Sequence, residues 1–310
     1  MRVAITGGAG FVGRHLAERL SSEDTVIISR RTGVPINDED ALAAAFAGCD
    51  VVAHCAGINR EIGDQTFERV HVDGTRAVIE AARRAGVQRI VMLSFLRARP
   101  DCGSAYHETK WAAEELLRQS GIAHTILKAG MIYGPGDHMV DHVTRAVRTF
   151  PIFATVGFRE RTVRPVPVEE AVHALLGALE GRVPGSTVAL VGAEELELGV
   201  AVRRIAHVAD GKPLYFRAPV WAIRALAQLT EWTMVVPLVA KAQAQMLAEG
   251  VSEPEPFAPG LPEGLRPVLA FDDERIRAAL PDGRFVLEDL RVVGWWTSRR
   301  RHNESGGPSH

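Results

Sequence analysis

Arg2-Val3-Ala4-Ile5-Thr6-Gly7-Gly8-Ala9-Gly10-Phe11-Val12-Gly13-Arg14-His15-Leu16 carries three signals in one run. Residues 2–6 are short, apolar and partly β-branched, which predicts a buried parallel strand. Glycines at 7, 8, 10 and 13 follow at once. From Arg14 to Leu20 the spacing is helical. Strand, glycine loop and helix in that order form a cradle for a dinucleotide pyrophosphate. Backbone N–H groups and the positive end of the helix dipole face the phosphates. Glycine lets the backbone turn tightly, approach the ligand and pack the helix on the sheet.

Outward from this unit, apolar runs alternate with helical patterns. Residues 25–29, 50–54, 88–94, 122–128 and 188–191 read as further strands. Residues 38–47 and 67–85 read as helices, the second ended by Gly86. Such alternation predicts an α/β fold with a doubly wound parallel sheet. Its ligands bind at the carboxyl ends of the strands.

Two further places carry chemistry. Arg30 and Arg31 follow the second strand, where an NAD-preferring protein usually carries an acid for the ribose 2′-hydroxyl. Two guanidinium groups suit a 2′-phosphate, so NADP(H) is expected over NAD(H), which the same cradle also admits. The alternative is a pair of solvated loop arginines. Tyr106 and Lys110 stand four apart, on one face of a helix. An unperturbed Tyr has a pKa of about 10, and a nearby ammonium lowers it towards neutral pH.

Gly7, Gly10 and Gly13 after Thr6, with Tyr106 and Lys110 as Y-x-x-x-K, resemble the extended and atypical short-chain dehydrogenase/reductases. These include NAD-dependent epimerase/dehydratase-like proteins and the atypical group similar to a complex I accessory subunit. The resemblance implies a Rossmann sheet with a smaller C-terminal substrate lobe. It implies Tyr106 as proton donor, Lys110 as its tuner and ribose ligand, and a Ser that orients the substrate carbonyl. Ser94, at a strand end, and Ser104, two before Tyr106, both compete for that role, and Ser104 also reads as a helix cap. Cofactor contacts are implied at Thr6, Gly7, Gly10, Phe11, Val12 and Gly13, and at Ile36 beside the adenine. The turn Cys55, Ala56 and Gly57 resembles the family's H-x-A-G. Ala129 and Met131 lie in a stretch like R-P-x-x-V-Y-G-P-G-D, with Lys128 and Ala129 in place of Arg and Pro. His71 replaces an Asn that braces the site in many members, so the resemblance does not carry that brace over.

The implied activity is an NADP(H)-dependent oxidoreductase acting on a carbonyl or alcohol. A sugar-nucleotide epimerase or dehydratase and a non-catalytic NADP sensor or assembly factor are the alternatives. Phe95 and Leu96 stand where dehydratases usually carry acids.

The 310 residues suit a dinucleotide domain over 1–198, with 150–168 on its substrate side. A mostly helical lobe over 199–297 and a disordered tail over 298–310 complete the division. A net charge of −2 argues against nucleic acid as partner. The apolar stretch 219–240 is interrupted by charge and proline, so no stable membrane span is expected. Three cysteines without ligand spacing suit a reducing, cytoplasmic setting. Asp137, His138, Asp141 and His142 could suggest a metal, but the hydride chemistry needs none and Asp137 also reads as a helix cap, so no metal is expected. Arg97 and Arg99 read as solvated surface charge, with contact to an anionic substrate as the alternative, and one of the arginines at 159, 161 and 164 is a candidate substrate contact. Trp221, Trp232 and Phe257 read as core aromatics, with a pocket wall as the alternative. The expected partner is a small molecule, and the oligomer stays open, a homodimer included.

Overall fold

The computed structural model describes residues 1–156, 161–183, 187–233 and 249–286. In chain order the N-terminal half runs β1 (Val3–Thr6), α1 (Phe11–Ala17), β2 (Thr25–Ile28), α2 (Glu39–Phe46) and β3 (Val51–His54). A wide π-type turn, Glu68–Asp73, leads into α3 (Gly74–Ala85). Then come β4 (Arg89–Phe95), α4 (Ala105–Gln119) and β5 (Ala123–Ala129). The chain continues through β6 (Ile132–Tyr133), α5 (His138–Thr149), β7 (Ile152–Val156), β8 (Thr162–Val163) and β9 (Val166–Pro167). It goes on through α6 (Val168–Leu179), β10 (Thr187–Leu190), β11 (Leu196–Glu197) and α7 (Leu198–Val208). β12 (Leu214–Ala218), α8 (Val220–Thr233) and α9 (Asp273–Ala279) follow.

Six parallel strands form the main sheet in the order β2-β1-β3-β4-β5-β10. From β1 the chain steps to one side for β2, then returns to the other side for β3. The loops after β1 and β3 therefore part, and a crevice opens between them.

Both faces of this sheet are covered, and the strand period of two shows why. Val3, Ile5, Val51, Ala53, Val91 and Leu127 point into one apolar layer with α1 and α6. Ala4, Val52, Ile90, Met92 and Ile126 point into the other, with α2, α3 and α4. The 67–85 helix expected from the sequence is thus realised with an irregular first stretch. There Phe67, Val70 and Val72 are buried.

The C-terminal part packs α7 and α9 against α5, around Tyr133, Val202, Ile205 and Phe271. It also contains extended chain. β12 pairs with β7 in a separate parallel ribbon. Residues 251–265 return to the core. Ala189 N–H donates to the Pro259 carbonyl on the outer side of β10. Leu265 fills the space over Gly177 on α6, where even a methyl would clash. Among the described residues no helix is long and apolar enough to cross a membrane. The tail beyond 298 and the stretch 234–240 lie outside the described residues.

Candidate active site

The loop after β1 is shaped by its glycines. Gly7 has a left-handed φ of 70°, and a Cβ there would stand 2.7 Å from the Ala56 backbone. A Cβ at Gly13 would stand 2.4 Å from the Gly7 carbonyl oxygen. These two glycines bring the β1 loop, the β3 loop and α1 together. Gly10 differs: its backbone is ordinary and its missing Cβ would meet only the Gly7 oxygen, at 3.0 Å. Gly7, Gly10, Phe11, Val12 and Gly13 line one end of a cleft of about 710 Å³.

Cys55, Gly57, Lys110, Tyr106 and Ser94 continue the cleft wall, and Ala129 and Met131 face them. Gly57 leaves the space that Lys110 uses: a Cβ there would stand 3.0 Å from the Lys110 Nζ. Burial lowers the Lys110 ammonium to about 8, against the raising influence of Glu114. Burial pushes the Cys55 thiol up to about 12, so the thiol beside Lys110 stays protonated and uncharged at physiological pH.

Tyr106 sits near the start of α4 inside a ring of aromatic groups. Phe67, His71, Phe95 and His107 have ring centroids 5.3–5.8 Å from its own, all edge-on. Burial alone pushes its phenol upward. The phenol is therefore held protonated at neutral pH.

Two neutral histidines fix the crevice. The Thr6 hydroxyl lies 2.7 Å from His54 Nδ1, and His54 Nε2 lies 3.0 Å from the Thr75 hydroxyl. Thr75 itself donates to the His71 carbonyl at 2.6 Å. His54 thus donates through Nε2 and accepts from Thr6. Burial, with Lys110, lowers it to about 3. His71 accepts the Ile58 N–H at Nε2 and meets the Thr109 hydroxyl at Nδ1, 3.0 Å away. Burial, followed by Lys110, also holds it well below its usual range. His71 stands where the resemblance implies an Asn, and its imidazole bonds on both sides. It ties the β3 loop to α4 one turn beyond Tyr106.

Ser94 lines the cleft, and its hydroxyl donates to Glu114 at 2.6 Å. The other Glu114 oxygen accepts from Arg118 at 2.7 Å and lies 3.6 Å from Lys128. Lys128 is buried and donates to the carbonyls of Ala98 and Glu255. Its replacement of Arg thus serves a buried charge network. Ser94 keeps its lone pairs for a further donor. Ser104 stands at the N-cap of α4 without capping it, 2.6 Å from His107 Nδ1, and is not part of the cleft wall.

Several expected contacts fall outside the cleft wall. Thr6 is buried and bonded to His54. Ala56 lies behind Gly7, and Ile36 packs on Gly74 of α3. Arg30 and Arg31 are exposed in a short turn after β2.

Other expectations are corrected. Arg97 and Arg99 pair with Glu249 and Glu255 instead of standing solvated or facing a ligand. Arg164 donates to the Gly192 carbonyl, Arg161 is exposed, and Arg159 lies outside the described residues. Trp221 and Phe257 are 74% and 86% exposed, and neither lines the cleft. The Trp232 side chain lies outside the described residues. Asp137 does act as the helix cap its position suggests: its carboxylate caps α5, accepting from Gly134, Met139 and Val140, and burial raises it to about 6.

The sequence reading missed Phe95 and the far wall of the cleft. Met139, Val143 and Ala146 on α5, with Phe150 just past its end, form one stripe there. Their i, i+4, i+7, i+11 spacing was the available signal.

The residues present fit a dinucleotide: a side-chain-free loop at Gly7 and Gly10, and an amino group against Gly57. Comparison with known proteins agrees. Residues 3–150 match the model of the NAD dependent epimerase/dehydratase family. A ceramide reductase of Caulobacter vibrioides is 30% identical over 286 residues, covering 84% of this chain and 89% of that one. A ketoreductase of Stigmatella aurantiaca, acting on 4-hydroxy-2-methyl-3-oxo-4-farnesyl-3,4-dihydroquinoline-1-oxide, is 28% identical over 80% of this chain and 85% of that one. The fold is shared with a Thermus thermophilus UDP-glucose 4-epimerase solved with NAD, at TM-score 0.64 and 21% identity, covering 90% of this chain and 97% of that one. With the glycine loop, the parallel sheet and the Tyr106–Lys110 helix in place, the chain belongs to the NAD-dependent epimerase/dehydratase family of extended short-chain dehydrogenase/reductases, whose members are NAD-dependent oxidoreductases and epimerases.

Proposed function

We propose that the protein is an NADP(H)-dependent carbonyl reductase. The observation that carries the reading is the composition of the cleft wall. Tyr106, Lys110 and Ser94 meet the glycine loop there, and Lys110 is the sole Lys or Arg among the described lining residues. A sugar nucleotide would bring a second diphosphate that needs cationic partners. This wall offers none beyond the cofactor end.

The dinucleotide, when bound, supplies the hydride. Gly7, Gly10 and Gly13 would hold its pyrophosphate, and Lys110 its nicotinamide ribose. Tyr106 gives its proton to the carbonyl oxygen as that oxygen becomes a hydroxyl. A phenol held protonated by burial suits this direction, since reduction needs a donor. The Lys110 ammonium stabilises the phenolate left behind. Ser94 would orient the carbonyl by turning its hydroxyl proton from Glu114 to the carbonyl oxygen. A reductase consumes NADPH in step with product, whereas an epimerase returns its hydride. NADPH absorbance followed with ketones and with UDP-sugars separates the two. Loss with ketones supports the reading, and UDP-sugar isomerisation without loss overturns it.

Two predictions belong here. Arg30 and Arg31 are exposed after β2, and neither is in an ion pair among the described residues. NADPH should bind more tightly than NADH, and Arg30→Asp with Arg31→Ala should reverse the order. Calorimetry giving the unmodified protein equal or tighter NADH binding would refute this.

Lys110 near 8 sets a pH limit. It is charged below that value and neutral above it, and the free enzyme's groups govern kcat/KM. Reductive kcat/KM should therefore fall as pH rises through about 8. A flat profile through that range would remove the ammonium from the mechanism.

A further inference from the structure

The reaction fixes where a carbonyl lies, and the rest of the cleft constrains what is attached to it. Past Asp137 the cleft runs along α5, where Met139, Val143 and Ala146, with Phe150 just past the helix end, form one wall. Facing side chains come from three other elements: Phe153 on β7, Phe216 on β12, and Ile223 and Leu226 on α8. From Met139 to Phe150 the stripe runs about 16 Å. Among the described residues, no Lys, Arg, Asp or Glu lines this arm. Its polar side chains are His138, His142 and Thr155.

The mouth is apolar too. Phe150, Ile152, Phe216 and Leu226 line the cleft and are also 37%, 54%, 47% and 37% exposed. A sugar in this arm would leave most of its hydroxyls without partners, which is costly once water is excluded. An alkyl chain would lose nothing there, and each methylene would gain from burial.

We propose that the substrate is a lipid ketone, its carbonyl at Tyr106 and one apolar chain of about a dozen carbons lying along α5. This rests on the carbonyl-reductase reading and adds the class of its substrate. The chain enters past the apolar side chains of Phe216 and Leu226. The reacting carbonyl sits at the junction of the arm with the dinucleotide end, where Ser94 and Tyr106 supply its polar contacts. Length is read by how far the chain reaches towards Phe150.

The test is an equilibrium titration, which needs no turnover. Nile red bound to the full-length protein with saturating NADP+, which cannot reduce a ketone, is displaced by straight-chain methyl ketones of six, ten and fourteen carbons. Each added methylene should strengthen displacement about fourfold until the arm is full. Phe216→Asp and Leu226→Asp lie at exposed rim positions, so the fold tolerates a carboxylate. They should weaken the longest ketone about tenfold or more by setting an unpaired charge against its chain. NADPH affinity should not change. Ala146→Trp should end the gain at a shorter chain. Equal displacement by the shortest and longest ketones overturns the proposal, as does stronger displacement by UDP-glucose. Chain-length-dependent binding without any NADPH oxidation would remove the reductase reading and leave the arm's specificity standing. Turnover of short ketones with no gain from length would do the reverse.

Discussion

Tyr106→Phe is expected to lower reductive turnover by roughly 10²–10⁴-fold, the usual worth of a positioned acid–base group. Dinucleotide affinity should be nearly unchanged. The ring keeps its aromatic surround of Phe67, His71, Phe95 and His107, so packing is preserved. Only the proton is lost. Because the carbonyl oxygen then has no donor as charge develops, the loss should fall on kcat and kcat/KM alike. Lys110→Ala should differ, harming turnover and nucleotide binding together. Single-turnover oxidation of NADPH beside nucleotide titration separates the two variants. Full activity in Tyr106→Phe would exclude the phenol as donor.

Gly10→Val is expected to abolish dinucleotide binding in a protein that still folds. The three motif glycines are not equivalent. At Gly13 a side chain would strike the Gly7 backbone, and at Gly7 it would strike Ala56, with a left-handed φ besides. Those substitutions break the crevice itself. Gly10 is exposed, has an ordinary backbone, and a Cβ there asks only a small shift of the Gly7 oxygen. Its side chain would project where the pyrophosphate must approach. Thermal melting should therefore show a folded Gly10→Val protein, and calorimetry should show no NADPH heat. Retained affinity would mean that the phosphates bind elsewhere.

Much of this was legible in the sequence because it is local. The glycine loop, the strands and the Tyr106–Lys110 spacing are short-range patterns with one common structural solution. Positions 3 and 5 facing one layer and 4 the other is likewise a property of the strand itself. What escaped depends on partners far apart in the chain. His71 looked like a lost brace because its bond to Thr109 spans 38 residues. Arg97 and Arg99 looked available because their partners, Glu249 and Glu255, come some 150 residues later. The apolar arm is assembled from α5, β7, β12 and α8, none of which encloses a cavity alone. Trp221 shows the opposite error: its place on an apolar stretch suggested core or a wall, yet it faces outward.

The return of residues 251–265 to the sheet bears on how the chain matures. β10 pairs with β5 on one side, and its other side is met at Ala189 by Pro259. Lys128, at the centre of the buried charge network, gives one of its bonds to the Glu255 carbonyl. Leu265 is buried against α6, about 2 kcal/mol of transfer free energy for a side chain of that size. During synthesis the ribosome releases the dinucleotide half long before these residues appear. The nascent sheet therefore waits with an open edge and a lysine short of one acceptor. Its closure waits for the synthesis of residues 251–265, and a polypeptide stalled before residue 251 presents an edge strand to its neighbours.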